Sequence, residues 1–307
     1  MQKKYHYFII GVILTVSQSL IGQENFSNQS ISIEPIPFSL TSHNNISIQA
    51  VFGSEDTINL MFHLAANSVS LTKKAIEKMK SIYWDTASDV GSWGGRSTSR
   101  YSESNTIKIG NLLWDSVSVW EDENSGPTTG GKFGPHLFEG YAVEIDFEKS
   151  LINLHESLPN LTNGYSKIPM VNGRSGFFIQ GTSTIDDVDY QNEFLIHTGY
   201  GGGILFDDKF AEESNIGERI EIIDVKELKD SFGNTIKVNK GTLPKFSIGN
   251  LELTDVPVGF FQGKIGQQQI SIIGADLLKR FNIIIDSDRE FIYLKPNQLI
   301  NMAYTPF

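Results

Sequence analysis

Two stretches, Ile107–Val119 "IKIGNLLWDSVSV" and Phe246–Val258 "FSIGNLELTDVPV", decide how this chain is read. They repeat one another at an offset of 139 residues, Gly110 to Gly249. Further on, "GPHLFEGYAVEIDFEKSLINL" from Gly134 matches "GADLLKRFNIIIDSDREFIYL" from Gly274. There Gly134 pairs with Gly274 and Asp146 with Asp286, both at an offset of 140. Order and spacing hold over two long segments, so chance is a poor explanation. The period lies far above the roughly 20–50 residues of solenoid arrays. It fits two similar lobes, residues 30–155 and 165–300, joined near "SLPNLTNGYS". A cleft between such lobes is the default binding site.

The repeat extends back to two apolar strands that each run into a histidine. "NLMFHLAANSVSLT" carries His63, and "EFLIHTGYGGGILF" carries His197. His63 precedes Gly110 by 47 residues and His197 precedes Gly249 by 52. A polar residue at the end of a buried strand, followed by small residues, is a common way to present a reactive group. Of the six histidines, His6 lies near the start, and His43, His63, His136, His155 and His197 lie beyond it.

Composition narrows the function. The chain has 307 residues, 39% of them hydrophobic, enough for a large buried core. Its net charge of −11 argues against nucleic acid as a partner, because phosphate binding needs a Lys/Arg surface. Cysteine is absent, which removes disulfides, thiol nucleophiles and Cys-ligated metal sites. "MQKKYHYFIIGVILTVSQSLIGQ" has a basic start, an apolar run and small polar residues, the pattern of a secretory signal over residues 1–22. An uncleaved anchor is the alternative. The mature chain is expected to lack a membrane span and to work in a secreted or periplasmic setting.

Most of the remainder reads as short strands. "ISIEPIPFSL" and "NNISIQAVFG" alternate apolar and polar residues, and "INLMFHLAA" is a buried strand. "SLTKKAIEKMKSI" predicts a helix over Leu71–Lys80, with Ser70 or Thr72 as its cap. "VGSWGGRSTSRYSES" has two readings: a flap whose Trp93, Gly94, Gly95 and Arg96 reach a ligand, or a Gly/Ser-rich hairpin whose Trp packs on the lobe. "GYGGG" lacks a P-loop pattern, and its glycines are expected to permit close backbone approach between lobes.

Taken together, these elements resemble the pepsin and retropepsin-like aspartic peptidases. "FLIHTGYGGGILF" stands where that family has an apolar strand followed by Asp-Thr-Gly, and "IIGADLLKRFNIIIDSDREFIYL" resembles its late strand–turn–strand element. The first lobe matches through "LMFHLAANSVSLT" and "FGPHLFEGYAVEIDF". The resemblance implies an all-β, bilobal fold of two β-barrel-like lobes with a central cleft. It also implies one aspartate from each lobe, the two sharing a proton because adjacent carboxylates do not both ionise easily. Here both positions are histidine, His63 and His197. Thr198 and Gly199 keep the rest of the second turn, while Leu64 and Ala65 replace their counterparts in the first. Asp85, in "YWDTASDV", mimics a catalytic turn but is expected to follow the helix rather than precede it, as a turn acid.

The expected function is therefore that of a pseudopeptidase, binding a peptide or protein ligand in the cleft as a monomer without the ordinary aspartic mechanism. The rival is an active hydrolase in which His63 and His197 work as an acid–base pair on a bound water. No cofactor is expected. A metal held by the two imidazoles lacks an obvious third ligand in the sequence.

Overall fold

The computed structural model describes residues 33–92, 95–160, 164–171, 176–229, 235–261 and 269–306. The expected leader, residues 1–22, lies outside these. In the first half the strands are β1 (Ile36–Pro37), β2 (Ser39–Leu40), β3 (Ile46–Phe52), β4 (Asp56–Phe62), β5 (Val69–Thr72), β6 (Thr86–Ser92), β7 (Gly95–Ile109), β8 (Leu112–Asp122), β9 (Gly131–Phe133), β10 (Ala142–Asp146) and β11 (Leu151–His155). A short helix, α1 (Lys73–Ile76), follows β5. The second half has β12 (Ser166–Pro169), β13 (Phe178–Ile185), β14 (Val188–His197), β15 (Ile204–Leu205), β16 (Ile222–Lys229), β17 (Thr235–Ile248), β18 (Leu251–Phe261), β19 (Ser271–Gly274), β20 (Phe281–Ile285) and β21 (Phe291–Pro296). Its helices are α2 (Asp208–Ser214), α3 (Ile216–Arg219) and α4 (Ala275–Leu278).

The two repeated "IGN" stretches are the turns of equivalent hairpins, β7–β8 and β17–β18. Gly110 and Gly249 take φ of 59° and 57°, a left-handed turn that a Cβ would strain. Each hairpin belongs to a closed barrel. In the first lobe the order is β3-β4-β9-β5-β8-β7, closed by β3 pairing with β7. The second repeats it as β13-β14-β19-β15-β18-β17, closed by β13 pairing with β17. In both, a parallel pair leads from the histidine-bearing strand: β4 beside β9, and β14 beside β19. The fold is the bilobal all-β arrangement that the repeat implies.

A third sheet, β1-β11-β10-β20-β21-β12, joins the lobes. At its centre β10 pairs antiparallel with β20, Glu144 opposite Ile284. β20 is buried at every residue, since both of its faces are covered. The barrels are filled by aromatic groups, Phe62, Phe133 and Phe138 in one and Phe194, Phe206 and Phe246 in the other, all fully buried. Each such side chain contributes roughly 1.5–3 kcal/mol of burial.

Two expectations are corrected. The predicted helix over Leu71–Lys80 shrinks to α1, because Ser70, Leu71 and Thr72 belong to β5. β5 is claimed by parallel pairing with β8 and buries Leu71 completely, so tertiary pairing overrides local helix propensity. Thr72 still caps α1, its hydroxyl accepting from the Ala75 N–H at 3.3 Å. The single strand read in "ISIEPIPFSL" is broken within Ile36–Leu40: Ile36 pairs with Ile152 in the shared sheet, and Ser39 turns to pair with Ser47 in the first barrel.

Candidate functional site

His197 is the last residue of β14, and His63 follows the last residue of β4. The parallel ladders fix both: the His63 N–H donates to the Phe133 carbonyl at 2.9 Å, and His197 lies opposite Gly274. The two imidazoles meet edge to face, ring centres 4.4 Å apart and planes at 87°. Gly199 makes this approach possible, since a Cβ there would lie 2.1 Å from Cδ2 and Nε2 of His63.

Thr198 braces the pair from below. It is 1% exposed. Its hydroxyl donates to the Phe62 carbonyl and accepts from the Leu64 N–H, both at 2.9 Å across the lobe boundary. Leu64, its counterpart, is buried and returns no such bond, so the brace has one arm. Sequence reasoning missed its partial replacement. The Asn45 amide donates to the carbonyls of Thr198 and Gly199 at 2.9 and 3.2 Å, and the Asn44 amide to that of Gly201 at 3.1 Å. The strand read in "NNISIQAVFG" begins only at Ile46, and Asn44 and Asn45 precede it, Asn44 with a φ of 63°.

The rings are electrostatically constrained. Burial holds His63 well below the usual imidazole range, and His197 and Lys132 push the same way. Burial lowers His197 to about 4, with Lys132 adding to the effect. Both rings are therefore neutral near pH 7. Nδ1 of His197 accepts from the Tyr200 N–H at 2.9 Å, which assigns its proton to Nε2. Nδ1 of His63 is buried without a hydrogen-bond partner among the described residues. Lys132, the nearby cation, is paired with Asp122 at 2.8 Å, and Ser70 donates to the same carboxylate at 2.5 Å.

A cleft of about 1480 Å³ opens beside the pair. His197, Gly199 and Tyr200 line it from the second lobe, and Ala75, Met79 and Thr129 from the first. Gly201 approaches the first lobe closely, its Cβ position 2.6 Å from the His43 carbonyl, whereas Gly203 is hemmed by Pro257 of its own lobe. Of the flap residues, Trp93 and Gly94 lie outside the described residues. Gly95 and Arg96 open β7, opposite Ser92 and Gly91 of β6.

The three aspartates that the sequence singles out bond nearby backbone instead. Asp85 accepts from the Glu103 N–H, Asp146 from that of Lys149, and Asp286 from those of Glu290 and Phe291. His155 faces Glu144 at 2.9 Å, well apart in the shared sheet. Among the described residues no three His, Asp or Glu side chains converge as a metal-ligand set. No helix there is long and apolar enough to cross a membrane.

No family model matches the chain, and no curated protein does. Among solved structures it is similar to the crystal structure of the aspartic proteinase from Irpex lacteus, at 14% identity and a TM-score of 0.61. That match covers 89% of this chain and 99% of the other. At this identity the likeness is one of fold: the chain adopts the bilobal aspartic-proteinase fold.

Proposed function

We propose that this is a secreted or periplasmic aspartic-peptidase-like protein that binds a peptide or other extended ligand in its cleft without the ordinary aspartic mechanism. In this reading His63 and His197 stand where the two catalytic aspartates of such a fold would stand. An aspartate pair sharing one proton carries a negative charge and a ready base. Two neutral imidazoles carry neither charge nor a shared proton.

The observation that carries the reading is how the two rings are spent. His197 uses Nδ1 to accept from Tyr200, so its free nitrogen is a donor. His63 is buried against Gly199. General-base catalysis needs a lone pair aimed at a water in the cleft, and this tautomer of His197 offers an N–H instead. Such an N–H suits a ligand carbonyl held in the ground state.

The test is a randomised decapeptide library, offered to the immobilised protein and analysed by mass spectrometry between about pH 3 and pH 8. Retained, uncleaved peptides are expected. New termini made by the native protein and lost in both His63→Ala and His197→Ala would establish the hydrolase instead.

A further inference from the structure

Lys240 is a buried cation that the histidine site does not use. It lies on β17 and is 8% exposed, yet it lines the cleft. Its Nζ donates to the Tyr200 hydroxyl at 2.8 Å, the one hydrogen bond that its ammonium makes among the described residues. Space for the ammonium comes from Gly259: a Cβ there would lie 3.1 Å from Nζ, and close to Val238 and Leu205. The surrounding wall is apolar, formed by Leu205, Val238 and Phe261 with Leu228 and Ile272 packed on them.

An ammonium has three donors, and leaving a buried one under-used is costly. The nearest charges do not neutralise it. Asp224, opposite Lys240 in the β16–β17 ladder, attracts it and Lys226 repels it, but those two pair with each other at 3.0 Å. Burial lowers Lys240 to about 8 and pushes the Tyr200 hydroxyl upward. The first lobe shows the contrasting solution, where Lys132 has its carboxylate in Asp122. At the equivalent of Asp122, 139 residues on, the second lobe has Phe261.

We propose that Lys240 and Tyr200 form an anion subsite at the second-lobe end of the cleft, which takes a carboxylate carried on an apolar group. The hydrophobic C-terminal residue of a peptide and a free aliphatic acid share this chemistry. The apolar wall receives the body of the ligand, and Lys240 and Tyr200 receive its charge. The subsite deepens the reading of the cleft as a ligand site but does not depend on the histidines.

Calorimetric titration of the full chain tests it with three probes: the tetrapeptide Ala-Ala-Leu-Phe as the free acid, the same peptide as its C-terminal amide, and octanoate. Binding of the acid about tenfold tighter than the amide supports a peptide terminus. Binding of octanoate with neither peptide bound supports a free acid. In either case Lys240→Met is expected to weaken the bound probe about tenfold while keeping the melting temperature, and Tyr200→Phe to weaken it less. A probe that binds Lys240→Met as well as the native chain, or no binding of any probe, overturns the subsite. If library peptides are retained while all three probes fail, the cleft reading stands and the subsite falls. If octanoate binds through Lys240 and no library peptide is retained, the subsite stands and the peptide reading falls.

Discussion

The two barrels solve one packing problem in opposite ways. In the first, Ser70, Asp122 and Lys132 come together beside the histidines, with Ser70 opposite Lys132 in the ladder and both bonded to Asp122. In the second, the equivalent positions are Leu205, Phe261 and Ile272, with Leu205 opposite Ile272 and Val238 packed opposite Phe261. One cluster is an ion pair with its hydrogen bonds; the other is a small apolar core. The backbone accepts either because each is satisfied internally. What changes is the field at the site. Lys132 depresses both histidines, whereas in the second lobe Asp224, opposite Lys240 in the ladder, pairs with Lys226 instead.

The largest expected effect comes from breaking one cluster without rebuilding it. Asp122→Ala leaves Lys132 without that carboxylate and should cost about 3 kcal/mol in urea unfolding. Replacing the set together, as Ser70→Leu, Asp122→Phe and Lys132→Ile, copies the second lobe into the first and should be neutral or stabilising. A triple variant as damaged as Asp122→Ala would show that the clusters are not interchangeable.

The one-armed brace gives a smaller contrast. Thr198→Val strands the buried Leu64 N–H and Phe62 carbonyl and should cost about 2–3 kcal/mol. Leu64→Val, on the side that has no hydroxyl, removes one methylene and should cost about 1 kcal/mol. Equal losses would mean that the hydroxyl braces nothing.

The pH dependence tests whether the rings are held neutral. His197 is lowered to about 4 in the folded chain, against an ordinary value of 6.5. Between these values the unfolded state binds the extra proton, so stability is whole above about pH 6.5 and falls as pH drops toward 4. His197→Gln should flatten that part of the stability profile relative to the native chain. An unchanged slope would mean that the ring is not held neutral.

Much of the fold was legible because its signals are local. Each "IGN" turn needs glycine at a fixed place, and each histidine ends a run of apolar strand residues. The same locality explains the misreading of β5. Leu71 and Thr72 look helical beside Lys73 and Lys74, and only pairing with β8, some 50 residues away (Val69 to Val119), makes them a strand. The sheet that joins the lobes was hidden for the same reason, since Glu144 and Ile284 carry no sign of each other. In the site, the histidines stood out through the repeat and Thr198 through the family resemblance. Asn45, Lys132 and Lys240 did not, because each is a single polar residue whose meaning comes from a strand or loop distant in sequence.

The most direct measurement is a long-range ¹⁵N–¹H correlation spectrum of ¹⁵N-histidine-labelled protein, followed from about pH 7 down to pH 3. His197 should be neutral at pH 7, protonated at Nε2 and bare at Nδ1, and should take up its second proton with a midpoint near 4. His63, held well below the usual imidazole range by burial, should also be neutral at pH 7. A His197 proton on Nδ1, or an imidazolium in either ring at pH 7, would contradict a cleft built around two neutral histidines.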